Sequence, residues 1–306
     1  MKVVITGATS FIGVAVIKKF IEEGAEKIWA VIRPNTVNRG KLPVHESVQV
    51  VQLDMQEIDA LTAQINEPVD VFIHLAWEGV RAPYRDDPEM QNLNYLAARK
   101  AMEVCCQLGC KKFIGSGSQA EYGSMNGIID EAYACTPNTE YGKAKLRACQ
   151  DLAEYAKVHQ IAFLWTRIFS VYGAGDYKGS LVMTCLDKMR KGETMQLTAC
   201  EQDWDYLYID EVAEIFSLLA EKECESGIYN LASGEHRKLK EYVESMKNVT
   251  GSNAPIEYGA IPYPASGMVS FIPDVTKLKK QTGWYSKLSF EQGIKYILQE
   301  NTDEEN

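Results

Sequence analysis

The sequence predicts a doubly wound α/β protein: a parallel sheet covered by helices on both faces, with a smaller, discontinuous C-terminal lobe. Through the first half of the chain, short β-branched runs alternate with stretches of helical periodicity, the pattern of repeated βαβ units. These runs are apolar throughout rather than at every second residue, so both faces of the sheet are covered. The alternation breaks after Gly173, where shorter and less regular segments begin.

Strands are predicted at residues 2–6, 28–32, 48–53, 69–75, 112–115 and 162–167. Helices are predicted at 11–23, 58–65, 88–108 and 139–158, the last opening after Pro137 with Asn138 as its cap. Beyond Gly173 come a helical piece at 181–191 and a Pro/Gly-rich stretch at 253–273. A strand at 205–209 with a helix at 210–220 returns to the first lobe. Residues 1–173 and 203–232 thus form the first domain, and 174–202 and 233–306 the second lobe, ending in a polar tail at 302–306 that frays.

The composition narrows the partners. Among 306 residues, 32 Lys and Arg stand against 42 Asp and Glu, a net charge of −10 that disfavours holding nucleic acid by general attraction. No stretch approaches the roughly 18 apolar residues of a membrane span, and no secretion signal is apparent, so a cytoplasmic protein is expected. Eight cysteines without a dense pairing pattern read as reduced thiols. Cys106 and Cys110 share a helix face, but with no second pair and no nearby histidine they read as packing, and no metal is expected.

The turn Thr6-Gly7-Ala8-Thr9-Ser10-Phe11-Ile12-Gly13 joins the first strand to the first helix, the context a dinucleotide pyrophosphate site requires. There, backbone N–H groups and the positive helix end face phosphate. Gly7 and Gly13 hold the outer positions of a G-x-x-G-x-x-G spacing and Ser10 the middle one. The second strand ends in Ile32-Arg33-Pro34, without the acidic residue that binds the free ribose hydroxyls of NAD. Arg33 suits a 2′-phosphate, favouring NADP over NAD, with a solvated surface charge as an equal reading of the residue itself. Asp54, after the third strand, can accept from an adenine amino group or simply cap the next turn.

Tyr141 and Lys145 lie four apart on a predicted helix and so share a face. A free phenol titrates near ~10, so proton transfer at neutral pH needs a neighbouring cation, which Lys145 supplies. Upstream, Gly115-Ser116-Gly117-Ser118-Gln119-Ala120-Glu121-Tyr122-Gly123 brings serines to the end of a parallel strand.

With those motifs, and with His74-Leu75-Ala76-Trp77, Asn92-Leu93-Asn94, the segments 167–175 and 204–213, and Gly283-Trp284-Tyr285, nearly the whole chain resembles the extended short-chain dehydrogenase/reductase family. Within that family it resembles the branch of nucleotide-sugar epimerases, dehydratases and ketoreductases. The resemblance implies a Rossmann domain with Tyr141 as acid/base, Lys145 as its electrostatic partner and ribose ligand, Ser118 orienting the sugar oxygen, and Asn94 ordering the site. It assigns Gly7, Thr9, Ser10, Phe11, Ile12, Gly13, Arg33, Asp54, Met55, Leu75 and Ala76 to the coenzyme. It places Trp77, Gln119 and Ser170 at a nucleotide-sugar substrate, and His74 in the core. It also implies a homodimer through the helices at 88–108 and 139–158.

Departures from the family pattern narrow the chemistry. Dehydratases of this branch carry an acid pair after the Ser/Thr, where this chain has Gln119 and Ala120, and Glu121 comes one residue late. Trp204 and Ser170 replace the arginine and asparagine that often bind the substrate diphosphate, leaving Lys178, Arg190 and Arg237 as candidates. The expected activity is NADPH reduction of a nucleoside-diphosphate-4-keto-6-deoxyhexose. The alternatives are an NAD-dependent 4-epimerase, and a nucleotide-sensing binding protein that would tolerate loss of Tyr141 or Lys145.

Overall fold

A computed structural model describes residues 1–264 and 267–304. Seven strands form one parallel sheet: β1 (Lys2–Thr6), β2 (Lys27–Ile32), β3 (Val48–Gln52), β4 (Val71–His74), β5 (Lys112–Ser118), β6 (Ala162–Ile168) and β7 (Gly227–Leu231). Their order is β3-β2-β1-β4-β5-β6-β7. The chain winds outward from β1 to β3, then resumes on the other side of β1 at β4, so a crevice opens at the carboxyl ends of β1 and β4.

Among the described residues, eight α-helices accompany the sheet: α1 (Phe11–Glu22), α2 (Pro88–Gln107), α3 (Glu140–His159), α4 (Leu181–Lys191), α5 (Ile209–Glu221), α6 (Leu239–Thr250), α7 (Thr276–Thr282) and α8 (Phe290–Glu304). Alternate side chains of each strand enter opposite cores, as the apolar runs require. Val3 and Ile5 pack with Val16, Ile17 and Phe20 of α1 and Val212 and Phe216 of α5. Val4 faces the other way, toward Ala98 and Met102 of α2 and Leu152 of α3. On that second face, Phe72, Phe113, Phe163 and Trp165 stack in a row across β4, β5 and β6, at ring separations of 5.7, 6.3 and 5.9 Å. A third core gathers Tyr172, Tyr208 and the apolar faces of α4, α6 and α8.

Several elements differ from expectation. The helix expected at 58–65 is a 3₁₀ segment, Met55–Ala63, whose buried Ile58 and Leu61 are three apart, the repeat of that tighter helix. Thr139, not Asn138, caps α3, its side chain accepting from Gly142 N at 3.1 Å. β5 runs past Gly115 because Ser116, Gly117 and Ser118 pair with Thr166, Arg167 and Ile168. The strand near 205–209 is Tyr206–Tyr208, which pairs with Ser170–Tyr172 outside the main sheet. β7 joins the sheet instead. Its polar Asn230 breaks the apolar run, and that buried amide donates to Ile129 O and Asp274 O and accepts from the Tyr122 hydroxyl.

Residues 302–304 of the expected tail continue α8, while Glu305 and Asn306 lie outside the described residues, as do Ala265 and Ser266 of the Pro/Gly-rich stretch. Among the described residues, no helix is long and apolar enough to cross a membrane, and no cluster of His, Cys, Asp or Glu could hold a metal ion. All eight cysteines are free thiols.

Candidate active site

The crevice is a groove of about 370 Å³ lined by Gly7, Thr9, Ser10, Arg33, Asp54, Met55, Leu75, Ala76, Trp77 and Asn94, among others. Gly7 takes a φ of +67°, and a Cβ on it would fall 2.7 Å from Ala76 N, so the first turn lies directly against the end of β4. A Cβ on Gly13 would fall 2.3 Å from Gly7 O, so only glycine lets α1 start this close to the turn. Ser10 is the α1 cap, its Oγ accepting from Gly13 N at 3.0 Å. Phe11 and Ile12 turn their side chains into the third core. The helix start, the close turn and the volume of the groove fit a dinucleotide.

Around the rim, Asp54 Oδ1 accepts from Gln56 N at 3.0 Å, so one carboxylate oxygen caps the following turn. Arg33, at the end of β2, forms an ion pair with Glu78, and both side chains are more than half exposed. Asn94 holds the backbone of Glu78 at both ends, accepting from its N–H and donating to its carbonyl, each at 2.9 Å.

Behind Trp77 of the groove wall, α3 carries Tyr141 and Lys145, only 8% and 2% exposed. The edge of Tyr141 meets Trp77 at 6.2 Å between centroids. Burial pushes the Tyr141 phenol up, a hydrogen bond with Ser118 and the charge of Arg85 pull it back, and Glu121 adds to the rise. Lys145 Nζ donates to Ser116 O at 2.5 Å and lies 3.7 Å from the Trp77 ring centroid but 5.9 Å from that of Tyr141. Burial pushes Lys145 down to about 7, against the raising effect of Glu121. His74 is a core residue, paired with Thr6 Oγ1 at 2.9 Å and pushed down to about 3 by burial and the Lys145 charge.

Ser118, Tyr141 and Lys145 therefore gather beside Trp77 of the groove wall, while the late acid does not join them. Glu121 is fully buried, accepting from Ser118 N at 2.8 Å, Trp165 Nε1 at 2.9 Å and Arg167 Nε at 2.8 Å. The turn it shares with Ser118 is a capping box that aims its carboxylate inward. Gln119 Oε1 is buried with no hydrogen-bond partner among the described residues. Of the candidates for an anionic substrate group, Arg237 is held by both oxygens of Glu291, Arg190 pairs with Asp187 at 3.7 Å, and Lys178 is exposed. Ser170 pairs with Tyr206 in the short second sheet.

Sequence reasoning missed the loop between β4 and α2. Arg85 lies 4.9 Å over the Tyr141 ring and Arg81 lies 4.2 Å over Tyr177. Buried Gln91 secures this loop, accepting from Trp77 Nε1 at 2.8 Å and donating to Gly79 O and Tyr84 O at 3.0 and 3.1 Å. The only signal in the sequence was two arginines in a short polar loop after His74-Leu75-Ala76-Trp77.

The model of the NAD dependent epimerase/dehydratase family matches residues 3–232. The chain is 26% identical to a protein named CDP-abequose synthase from Salmonella muenchen, over 97% of each chain. It is 25% identical to a putative UDP-glucose 4-epimerase from Methanocaldococcus jannaschii, again over 97% of each. A solved structure of MoeE5 in complex with UDP-glucuronic acid and NAD shares the fold, with a TM-score of 0.86 at 23% identity over 99% of this chain and 100% of that one.

Proposed function

The chain belongs to the NAD dependent epimerase/dehydratase family, and on that premise we propose that it reduces a keto sugar, a nucleoside-diphosphate-4-keto-6-deoxyhexose, with NADPH. One observation carries this reading. Tyr141 and Lys145 both pack on Trp77 of the groove wall and Tyr141 hydrogen-bonds with Ser118, while the only carboxylate on the turn after Ser118, that of Glu121, points into the core. Elimination needs an acid facing the sugar there, whereas reduction needs only a proton donor.

When bound, the coenzyme supplies a hydride to the carbonyl carbon. The Ser118 hydroxyl orients the carbonyl oxygen, and Tyr141 gives that oxygen its phenolic proton, so the carbonyl becomes a hydroxyl. Lys145 holds the ribose and contributes positive charge. Tyr141 recovers its proton from solvent.

NADP is proposed on Arg33, which lines the groove where an acidic residue would suit NAD. NAD is the alternative, since the MoeE5 structure carries it. Residues 1–173 and 203–232 are proposed as the coenzyme domain, and 174–202 and 233–306 as the nucleotide-sugar lobe. A homodimer through α2 and α3 is supported by Leu93 and Leu96 of α2 and Val158 of α3, all exposed.

A 4-epimerase is the second reading, favoured by the relative of that name. The test is NADPH oxidation over a panel of nucleotide-activated keto sugars, with Tyr141→Phe as control, alongside analysis of nucleotide released from purified protein. Oxidation with wild type that falls about 10²- to 10⁴-fold in the variant supports the reductase. Silence across the panel with stoichiometric bound NAD would replace it with the epimerase.

A further inference from the structure

We infer that Arg85 is a positioning residue for Tyr141, placing a permanent positive charge against the face of the phenol that gives up the proton. The inference rests on the proposed role of Tyr141 as acid.

The geometry is specific. The guanidinium lies 4.9 Å from the Tyr141 ring centroid, within cation–π range. Arg85 is held there by contacts on both sides. Its Nη1 donates to Val80 O at 3.2 Å, and its backbone N donates to Arg81 O at 3.0 Å. The next residue, Asp86, accepts from Glu140 N at 3.1 Å, fastening the loop to the first turn of α3 beside Tyr141. From α2, Gln91 holds the neighbouring carbonyl of Tyr84.

A cation over a neutral ring is attracted by the ring quadrupole; over a phenolate it meets a full negative charge. Arg85 therefore stabilises the ring after proton transfer more than before it, the differential that lowers a barrier. Lys145, the other cation near the ring, is farther from it and lies on Trp77 and Ser116 O. Its burial leaves it only partly charged near neutral pH, whereas a guanidinium stays charged. The other groups facing Tyr141 are Ser118, which pulls the phenol down, and Glu121, which pushes it up but is itself paired with Arg167. Trp77 contributes only its ring, and Glu140 of the same helix pairs with Lys143.

The test reads Tyr141 directly. With Tyr141→3,5-difluorotyrosine, a more acidic phenol, ionisation is followed by absorbance in the range where the other tyrosines stay protonated and the protein stays folded. Arg85→Gln should raise the midpoint by about one pH unit, and Arg85→Lys should restore most of the shift. An unchanged midpoint in Arg85→Gln overturns the inference, as does an Arg85→Lys midpoint as high as that of Arg85→Gln, since charge would then not be responsible. Thermal melts of both variants confirm that folded protein is being titrated. No substrate is needed, so a shift seen with a silent keto-sugar panel leaves the inference standing while the proposed reaction falls.

Discussion

Glu121 Oε2 accepts the Arg167 Nε proton at 2.8 Å, and the two side chains are only 0% and 2% exposed. The pair lies beneath the turn that begins at Ser118, since the other Glu121 oxygen accepts from Ser118 N. A residue that might have been a catalytic acid is thereby a support for the serine beside it.

Breaking that pair should be costly. Glu121→Gln turns an amide donor toward the Arg167 donor and leaves the guanidinium buried without its counter-charge, a loss of about 3–5 kcal/mol. Urea unfolding checks this; a midpoint equal to that of wild type would show that the buried ion pair contributes nothing.

Lys145 gives a pH signature in the coenzyme-free protein. The unfolded chain keeps this proton to near 10.5, the folded chain only to about 7, so between those values the unfolded state binds more protons and stability rises with pH. Lys145→Met removes that dependence. The variant should melt above wild type at about pH 6, with the gap shrinking by about pH 9; melts with a constant gap would contradict the shift.

Arg33 should select the coenzyme. Arg33→Ala is expected to weaken NADPH binding about tenfold while sparing NADH, a modest effect because the guanidinium is well exposed. Glu78→Gln, which frees Arg33 from its partner, should act in the opposite direction. Calorimetry with both coenzymes decides, and equal losses for both would remove Arg33 from the selection.

Arg237 and Glu291 should govern an acid-dependent part of stability. The Arg237 hydrogen bond holds Glu291 at about 2, below the 4.5 of the free group. The pair's contribution is thus full above 4.5 and lost as pH falls through about 2. Arg237→Met should lower the urea midpoint at about pH 7 and flatten the decline of stability toward acid. An acid limb as steep as that of wild type would reassign it to other carboxylates.

What the sequence by itself determined is what local rules encode. Apolar runs without alternation called for a sheet covered on both faces, and a glycine turn between strand and helix called for a close approach of that turn to a neighbouring strand. The four-residue spacing of Tyr141 and Lys145 put them on one helix face. These features depend on neighbours within a turn or a strand, so they can be read in one dimension.

Tertiary structure alone decided the rest. Whether β5 continued to Ser118 depended on pairing with β6, and whether Asn230 could stand in a buried strand depended on Ile129, Asp274 and Tyr122 arriving to satisfy its amide. Glu121 turned inward because Arg167 and Trp165 waited on the next strand. Arg85 reached Tyr141 because Gln91 and the start of α3 fasten its loop beside that residue. Each outcome is set by distances between elements far apart in the chain, and the charges that act on the phenol follow those distances rather than the order of residues.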